Sequence, residues 1–506
     1  VTRQLVLSGF MGAGKSSAAK RLAERLDRRP VDIDQEIESA EGRSVAKIFR
    51  EDGERAFRRI EAGVVARVLA TAEPLVVALG GGALEDEQTR AIVTEHLVIY
   101  LEVRGEVAWR RVKGSNRPLA QDREQFEALL ESRRANYEDC AHLIVRNEPR
   151  NAIDSARFFI ERLLTRSPQT RAVWAVTAGG SYPAVFERGL LRRHDLWTIE
   201  GDFVTVSDAN VAGCHEWLNH GIVIPPGEES KTLSEVERVC GAFAERGMTR
   251  RAGVAAVGGG VVGDLAGFAA AVYQRGIPVT QVPTTLVAQV DSAYGGKTGV
   301  DLPAAKNYIG AYHQPKAVLV DVEALSTLPP PDLASGYAEV IKTALIAGGR
   351  LWQAVDAGVN LKGEFPEAVV FDCARTKLEI VMRDERDSGR RQVLNLGHTI
   401  GHAIEAAAGY GNMRHGEAIG IGLLGALRLS GLDGLRVRIA ELLAAAGLPR
   451  EARGLDVDDV MARMRLDKKR EDHAVPFVLV DGPGAVTHGH TVPDEEIRLA
   501  VEELIA

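Results

Sequence analysis

The sequence is poor in the features that would send a chain out of a reducing compartment or into a membrane. Its four cysteines, Cys140, Cys214, Cys240 and Cys373, are spread through 506 residues with no C-x-x-C pair. That excludes a disulfide framework and points to reduced thiols. No uninterrupted apolar run reaches the roughly 18 residues a membrane helix needs. The first thirty residues read as a strand and a helix rather than a cleavable signal, so a cytoplasmic enzyme is expected. Nor is there an excess of positive charge: 62 Lys and Arg against 70 Asp and Glu give a net charge of −8. The balance argues against nucleic acid or an anionic membrane as partner, while leaving local Arg and Lys clusters to grip small anions. No internal repeat or low-complexity tract stands out. What is there is an ordinary globular composition, 45% apolar, and a length that at about 150 residues per domain suggests three domains.

The most specific motif lies at the start. Gly9-Phe10-Met11-Gly12-Ala13-Gly14-Lys15-Ser16 fits G-x-x-x-x-G-K-[ST], between an apolar run, Leu5-Val6-Leu7, and a helical pattern from Ser17 to Ala23. In that strand, loop, helix setting the backbone N–H groups turn inward on phosphates and the helix N-terminus adds positive charge. Lys15 would reach the outer phosphates, and the Ser16 hydroxyl would ligate Mg²⁺.

A polar break at Arg166-Ser167-Pro168-Gln169-Thr170-Arg171 follows a helical stretch, and a strand pattern restarts at Ala172-Val173-Trp174-Ala175-Val176. A domain boundary is expected there. Strands alternate with helices to about residue 325, and from Pro329-Pro330-Pro331 the pattern is mainly helical. The expected division is 1–168, 169–325 and 326–506.

Within the first part no N-K-x-D base-reading motif appears, and no apolar strand ends in the Asp of a motor ATPase. Instead Leu75-Val76-Val77-Ala78-Leu79 runs into Gly80-Gly81-Gly82, which lets backbone approach a small acceptor closely. Val31-Asp32-Ile33-Asp34, read as a strand, would place both carboxylates on one face, one for the metal shell and one for the acceptor hydroxyl. Arg58, in Gly53-Glu54-Arg55-Ala56-Phe57-Arg58-Arg59-Ile60-Glu61, could pair bidentately with a carboxylate. Taken singly, each of these fits a solvated charge as well.

Together they resemble shikimate kinase, over about residues 1–165. Asn116-Arg117-Pro118-Leu119 resembles that family's mobile lid, and Arg133-Arg134-Ala135-Asn136-Tyr137 stands where the family usually has R-x-P-x-Y. The resemblance implies ATP bound by Gly12, Ala13, Gly14, Lys15, Ser16, Ser17 and Arg117. It implies shikimate bound by Asp34, Arg58, Gly80, Gly81, Gly82 and Arg133, with Asp34 orienting or deprotonating the 3-hydroxyl. The missing proline leaves the register of Arg133 against Arg134 open.

The second part carries another constellation. Val257-Gly258-Gly259-Gly260-Val261-Val262-Gly263-Asp264 fits G-x-G-x-x-G between a short strand and a helix, a setting for a pyrophosphate or for a packing turn. Val206-Ser207-Asp208-Ala209-Asn210-Val211 suits the ribose or adenosine of a dinucleotide, or a simple Asx turn. Metal-ligand types gather in Asn395-Leu396-Gly397-His398-Thr399-Ile400-Gly401-His402-Ala403-Ile404-Glu405 and Arg414-His415-Gly416-Glu417. Spacing alone nominates His398 and His402, at i and i+4, as Zn²⁺ ligands. Glu339 is the candidate carboxylate, with Lys342 one turn on.

This part resembles 3-dehydroquinate synthase, over about residues 172–500. The matching strings include Pro226-Gly227-Glu228-Glu229-Ser230-Lys231-Thr232, Tyr273-Gln274-Arg275-Gly276, Gln281-Val282-Pro283-Thr284-Thr285-Leu286, Asp291 with Gly295-Gly296-Lys297-Thr298-Gly299, and Lys306-Asn307. Ser292-Ala293-Tyr294 departs from the usual S-S-[VI]. The resemblance implies Glu339, His398 and His415 as ligands of Zn²⁺ or Co²⁺, which moves His402 to the substrate. It implies NAD⁺ held by Asp208, Asn210, Glu228, Lys231, Gly259, Gly260, Val261, Asp264, Thr284, Thr285, Lys297 and Lys306. Substrate and catalytic positions carried over are Lys297, Lys342, Arg275, Asp291, Lys306, Asn307, Arg391, Asn395 and His402, with Lys468 a further candidate for closing over phosphate.

The implied substrate is a seven-carbon 2-keto-3-deoxy sugar acid phosphate, DAHP. NAD⁺ would oxidise its C5 hydroxyl, phosphate would be eliminated, C5 would be reduced again, and an aldol step would close the carbocycle, with the metal polarising the hydroxyls. The expected whole is an α/β protein: a P-loop kinase domain with a parallel sheet, a Rossmann-like dinucleotide-binding domain and a mainly helical metal and substrate domain. Its partners would be shikimate, ATP and DAHP, and the resemblance implies a homo-oligomer through the synthase part. The competing reading is a nucleotide-sensing P-loop module fused to a metal-dependent polyol dehydrogenase.

Overall fold

The computed structural model describes residues 3–114, 122–148, 151–199, 201–303, 305–409, 412–468 and 476–505. Packing divides the chain into two compact units, Val1–Val176 with Ser181–Glu187, and Thr177–Gly180 with Arg188–Ala506. Among the described residues no helix is long and apolar enough to cross a membrane.

The first unit contains β1 (Leu5–Ser8), β2 (Arg29–Asp32), β3 (Leu75–Ala78), β4 (Leu97–Glu102), β5 (Leu143–Arg146), β6 (Arg171–Thr177) and β7 (Gly180–Phe186), in the spatial order β2-β3-β1-β4-β5-β6-β7. β1 pairs in parallel with both β3 and β4. These three strands are buried along their whole length, as expected of parallel strands covered on both faces. The polar break near Pro168 does not coincide with the division by packing. β6 continues the parallel pairing beyond it, Ile144 opposite Val173, and Trp174 stacks on Phe159 while its indole N–H donates to Ser155 Oγ at 2.9 Å.

The second unit opens with β8 (Phe203–Asp208), β9 (Ile222–Ile224), β10 (Gly253–Gly258) and β11 (Val279–Pro283). An antiparallel ribbon follows, β12 (Lys297–Leu302) with β13 (Ala305–Tyr312), and then β14 (Ala317–Val320). The parallel order is β14-β11-β10-β8-β9, and a core of Val206, Val239, Phe243, Val262 and Leu265 lies against it. From Pro330 the unit is mainly helical, with one antiparallel hairpin, Phe477–Gly482 against Ala485–His490; Pro330 sits in the first turn of helix Pro330–Ala347, where its missing N–H costs nothing.

Two glycines decide how that helical part closes. A Cβ on Gly416 would stand 1.9 Å from the Ser335 carbonyl oxygen, and one on Gly422 would stand 2.1 Å from that of Gly397. With hydrogen there instead, helix His415–Leu429 packs backbone to backbone on Pro330–Ala347 and on the start of His398–Ala408. The N-terminal ends that carry His398 and His415 are thereby drawn to the middle of Pro330–Ala347, where Glu339 sits.

Candidate active sites

In the first unit the loop after β1 takes positive φ at Gly9, Gly12 and Gly14 (137°, 82° and 92°). Gly9 and Gly12 also lie where a Cβ would meet backbone oxygens at 2.6 and 2.8 Å. The helix that follows, Lys15–Leu26, has no capping side chain and no acidic residue in its first turn, so its N-terminal N–H groups face the loop. The set suits a polyphosphate with Mg²⁺. Lys15 Nζ donates to the carbonyls of Gly9 and Phe10 at 2.7 and 3.2 Å, and Ser16 and Ser17 are exposed on the first turn. Asn147 and Arg111, which motif reading missed, strap the loop from outside: they donate to the carbonyls of Ala13 at 2.7 Å and Gly12 at 3.0 Å. Arg117 lies outside the described residues.

The triple glycine is walled by charge. A Cβ on Gly80 would meet Glu61 Oε1 at 2.1 Å and Asp34 Oδ1 at 3.2 Å, and one on Gly82 would meet the Arg58 guanidinium at 2.2 Å. Arg58 bonds Glu61 at 2.5 Å and Glu54 at 3.0 Å. Burial pushes the Glu61 carboxyl up in spite of that arginine. The reading of Asp32 and Asp34 as one strand face is corrected here. β2 stops at Asp32, whose carboxylate caps helix Ile33–Glu41 by accepting the Asp34 N–H at 3.1 Å. Only Asp34 turns toward the glycines, because local capping takes the other carboxylate first. At the lost proline, Arg133 is buried, bonding Glu85 at 3.0 Å and the Gly81 carbonyl at 3.4 Å, whereas Arg134 turns to Glu131 and Glu102.

In the second unit, Gly259, Gly260, Val261 and Asp264 form the junction of β10 with helix Gly260–Val272, which again has no capping side chain. Thr284 and Thr285 follow β11, with the Thr284 N–H on the Gly258 carbonyl at 3.0 Å. Lys231 is buried against Asp264 at 2.7 Å, Glu228 at 3.6 Å and Asn307. This glycine cradle beside a paired lysine fits a dinucleotide. Asp208 spends its carboxylate capping helix Ala209–Cys214, accepting from Asn210 and Val211, which is the Asx turn.

The histidines converge. Glu339 Oε1 lies 3.5 Å from His398 Nε2 and 3.4 Å from His415 Nε2, and His402 brings a ligand atom within 4.8 Å of those of His398 and His415. Two imidazoles and a carboxylate are the protein donors of a catalytic zinc-type site. His398 Nδ1 is directed to the Leu396 carbonyl at 3.1 Å, which leaves Nε2 as the coordinating atom. Burial and the nearby Lys342 push His398 well below the usual histidine range. Burial also works against a charged His415, but hydrogen bonds to Glu339 and Glu405 outweigh it and raise it to about 9. Glu339 is 1% exposed and remains ionised well below the usual range, because Lys342 and the histidines outweigh its burial.

Asp291 sits in a turn of π-helix, a form that clusters at functional sites. It links Lys342 at 3.8 Å to Lys377 at 2.6 Å. Lys297 pairs with Asp387, and Arg391 is buried with its guanidinium on the Glu385 carbonyl at 2.6 Å. Lys306 bonds Glu405 at 2.7 Å. Arg275 and Asn395 are exposed, and among the described residues no hydrogen bond joins either to the cluster. The Lys468 side chain lies outside the described residues. Two members escaped sequence reasoning. Glu405 follows His398 and His402 at i, i+4, i+7 spacing and was legible as the same helix face, whereas Lys377 has no local signal.

Residues 11–164 match the family model for shikimate kinase. Residues 221–335 and 336–470 match those for the 3-dehydroquinate synthase N-terminal and C-terminal parts. A 3-dehydroquinate synthase from Acidithiobacillus ferrooxidans is 44% identical over 345 residues, 64% of this chain and 95% of that one. Among solved structures, 2-epi-5-epi-valiolone synthase from Streptomyces hygroscopicus with NAD⁺ and Zn²⁺ bound superposes with a TM-score of 0.60 at 28% identity, covering 65% of this chain and 99% of that one. A 2-deoxy-scyllo-inosose synthase complexed with carbaglucose-6-phosphate, NAD⁺ and Co²⁺ does so with a TM-score of 0.57 at 26% identity, covering 66% and 99%.

Proposed function

From the premise that the chain belongs to the 3-dehydroquinate synthase family and carries a shikimate kinase module ahead of that part, we propose that two separate sites carry its two reactions. One is ATP-dependent phosphorylation of shikimate to shikimate 3-phosphate. The other is NAD- and metal-dependent conversion of DAHP to 3-dehydroquinate with release of phosphate. The kinase pattern spans 1–168, with β6 and β7 completing its sheet up to residue 187, and the synthase part divides at about residue 325.

In the kinase, Lys15 and the loop N–H groups hold the phosphates, Ser16 would ligate Mg²⁺, and Asp34 orients or deprotonates the acceptor hydroxyl. Arg58, Arg133 and the triple glycine hold the acceptor, and Arg117 closes over the phosphate. Catalysis there rests on positioning and charge neutralisation. In the synthase, Glu339, His398 and His415 hold Zn²⁺ or Co²⁺, and the glycine turn with Lys231 and Asp264 holds NAD⁺. Together these groups supply reversible hydride transfer and polarisation of the hydroxyls. Lys297, Arg275, Lys306, Asn307, Arg391, Asn395 and His402 orient the substrate's carboxylate, hydroxyls and phosphate, and Asp291 holds Lys342 in place. The observation that carries this reading is the meeting of Glu339 Oε1 with both histidine Nε2 atoms, at 3.5 and 3.4 Å, in the unit that also holds the glycine turn.

The reading takes the protein as cytoplasmic, on its unpaired, dispersed cysteines, and as a homo-oligomer through the synthase part, on the family resemblance; light scattering tests the latter. The deciding experiment measures both turnovers on one purified sample. DAHP should release phosphate with NAD⁺ in catalytic amount and no stoichiometric NADH. NADH growing in proportion to a simple polyol consumed, with no phosphate from DAHP, would replace the synthase reading with a polyol dehydrogenase.

A further inference from the structure

The two histidines that face Glu339 are anchored differently. His398 Nδ1 meets a backbone carbonyl, but His415 Nδ1 meets the carboxylate of Glu405, Oε2, at 3.1 Å. An ionised carboxylate only accepts, so the proton of that bond sits on Nδ1 and Nε2 is the atom left to face Glu339. Glu405 is itself 4% exposed, and its second oxygen, Oε1, accepts from Lys306 Nζ at 2.7 Å. The same ammonium lies 3.9 Å from Glu228 Oε1, on the loop beside Lys231. Both carboxylate oxygens are thus committed, one toward the metal-ligand cluster and one toward the nucleotide-side lysine.

We propose that Glu405 is a positioning residue for the divalent metal: through its Oε2 bond to Nδ1 it fixes the tautomer and ring orientation of His415. The inference rests on reading Glu339, His398 and His415 as the ligands. A carboxylate behind a metal-binding imidazole orients the ring and raises its basicity, and its loss typically costs about 10–100-fold in metal affinity. Lys306 acts on the other oxygen and is not needed for the Nδ1 bond.

The test is direct titration of the metal-free full-length protein with Co²⁺ alone, followed by calorimetry and by the visible Co²⁺ spectrum, for the native chain, E405Q, E405D, K306M and H398A. Glu405→Gln keeps the shape and removes the charge. It should weaken Co²⁺ binding about 10–100-fold and change the Co²⁺ bands, while Glu405→Asp regains most of the affinity. Lys306→Met should bind Co²⁺ within about threefold of the native protein, since Glu405 then serves His415 alone. Should E405Q fail to fold, E405D and K306M decide: a tenfold loss in K306M with E405D unaffected would overturn the assignment. So would E405Q binding Co²⁺ as the native protein does while His398→Ala abolishes it, a result that leaves the ligand set standing. Undiminished Co²⁺ binding in H398A would remove the ligand set itself.

Discussion

The two sites are built from different material. The phosphate site of the first unit is one continuous loop whose working atoms are mostly backbone, held by positive φ at three glycines and by the uncapped end of the helix that follows. The Glu339, His398 and His415 cluster of the second unit is made of side chains from three helices, and backbone enters through the Leu396 carbonyl behind His398 and through the glycines that let those helices touch. A site of the first kind is specified wherever its motif folds. One of the second kind exists only when the core around it closes to within a fraction of an ångström. The difference can be attacked from either side.

Removing the metal should have the largest effect and spare one site entirely. A transition-metal chelator in the presence of excess Mg²⁺ is expected to bring 3-dehydroquinate formation to background, with shikimate phosphorylation unchanged and Zn²⁺ or Co²⁺ restoring the lost activity. Two coupled assays on one sample measure it. Parallel loss of both activities would mean the sites are not separate.

Lys15→Met is the mirror experiment. The lysine neutralises charge at the outer phosphates, so kcat of the kinase should fall by roughly 10²–10³-fold, with synthase turnover unchanged.

A pair of glycine substitutions sharpens the contrast of backbone against tertiary packing. Gly82→Ala puts a methyl 2.2 Å from the tip of the Arg58 side chain, whereas Gly416→Ala puts one 1.9 Å from the backbone oxygen of Ser335. A guanidinium can swing away and a helix backbone cannot. Gly82→Ala should raise KM for shikimate about tenfold at little cost in stability. Gly416→Ala should cost about 3 kcal/mol, the upper part of the overpacking range, and lower metal affinity by parting the helices. Equal melting temperatures for the two variants would contradict this.

A smaller effect is electrostatic. In the metal-free protein His415 is raised from 6.5 to about 9, so its contribution to stability is complete below about pH 6.5 and is lost as pH rises through about 9. Glu405 is lowered from 4.5 to about 2: burial opposes this, but His415 and Lys306 outweigh it. Its contribution is present above about pH 4.5 and is lost as pH falls toward about 2. Metal-free stability should therefore plateau between these windows, and metal uptake at pH 7.5 should release about one proton, because coordination takes the Nε2 lone pair. Calorimetry in two buffers of different ionisation enthalpy counts that proton.

The smallest expected effect concerns where the first unit ends. A fragment 1–168 lacks β6 and leaves Phe159 and the Ser155 hydroxyl without Trp174. It should melt roughly 5 °C below fragment 1–187, on the scale of about 2–4 °C per kcal/mol for a domain of this size. Identical melting curves would return the boundary to Pro168.

How much of this was legible depends on the range of the interaction concerned. The strand, loop, helix setting of Gly9–Ser16, the triple glycine and the glycine turn after β10 were readable because each is a run of neighbours whose φ and ψ do the work. Asp34 was placed on the wrong element because a capping preference competes with strand alternation over the same four residues, and sequence pattern does not say which prevails. Lys377 was invisible, since its bond to Asp291 joins two segments 86 positions apart.

By itself the sequence determined the chemistry available: a phosphate-cradling loop, a dinucleotide-type turn, and histidines with carboxylates in number enough for a metal. Backbone conformation and residue type are local properties, and a motif carries both. Only the tertiary structure decided which of those groups meet. It chose Arg133 over Arg134 for the Gly81 carbonyl, set Glu339 opposite His398 and His415, and put Glu405 behind His415. Those meetings depend on how closely helices pack, and that distance is set by glycines such as Gly416 and Gly422 together with the backbone they touch on another helix.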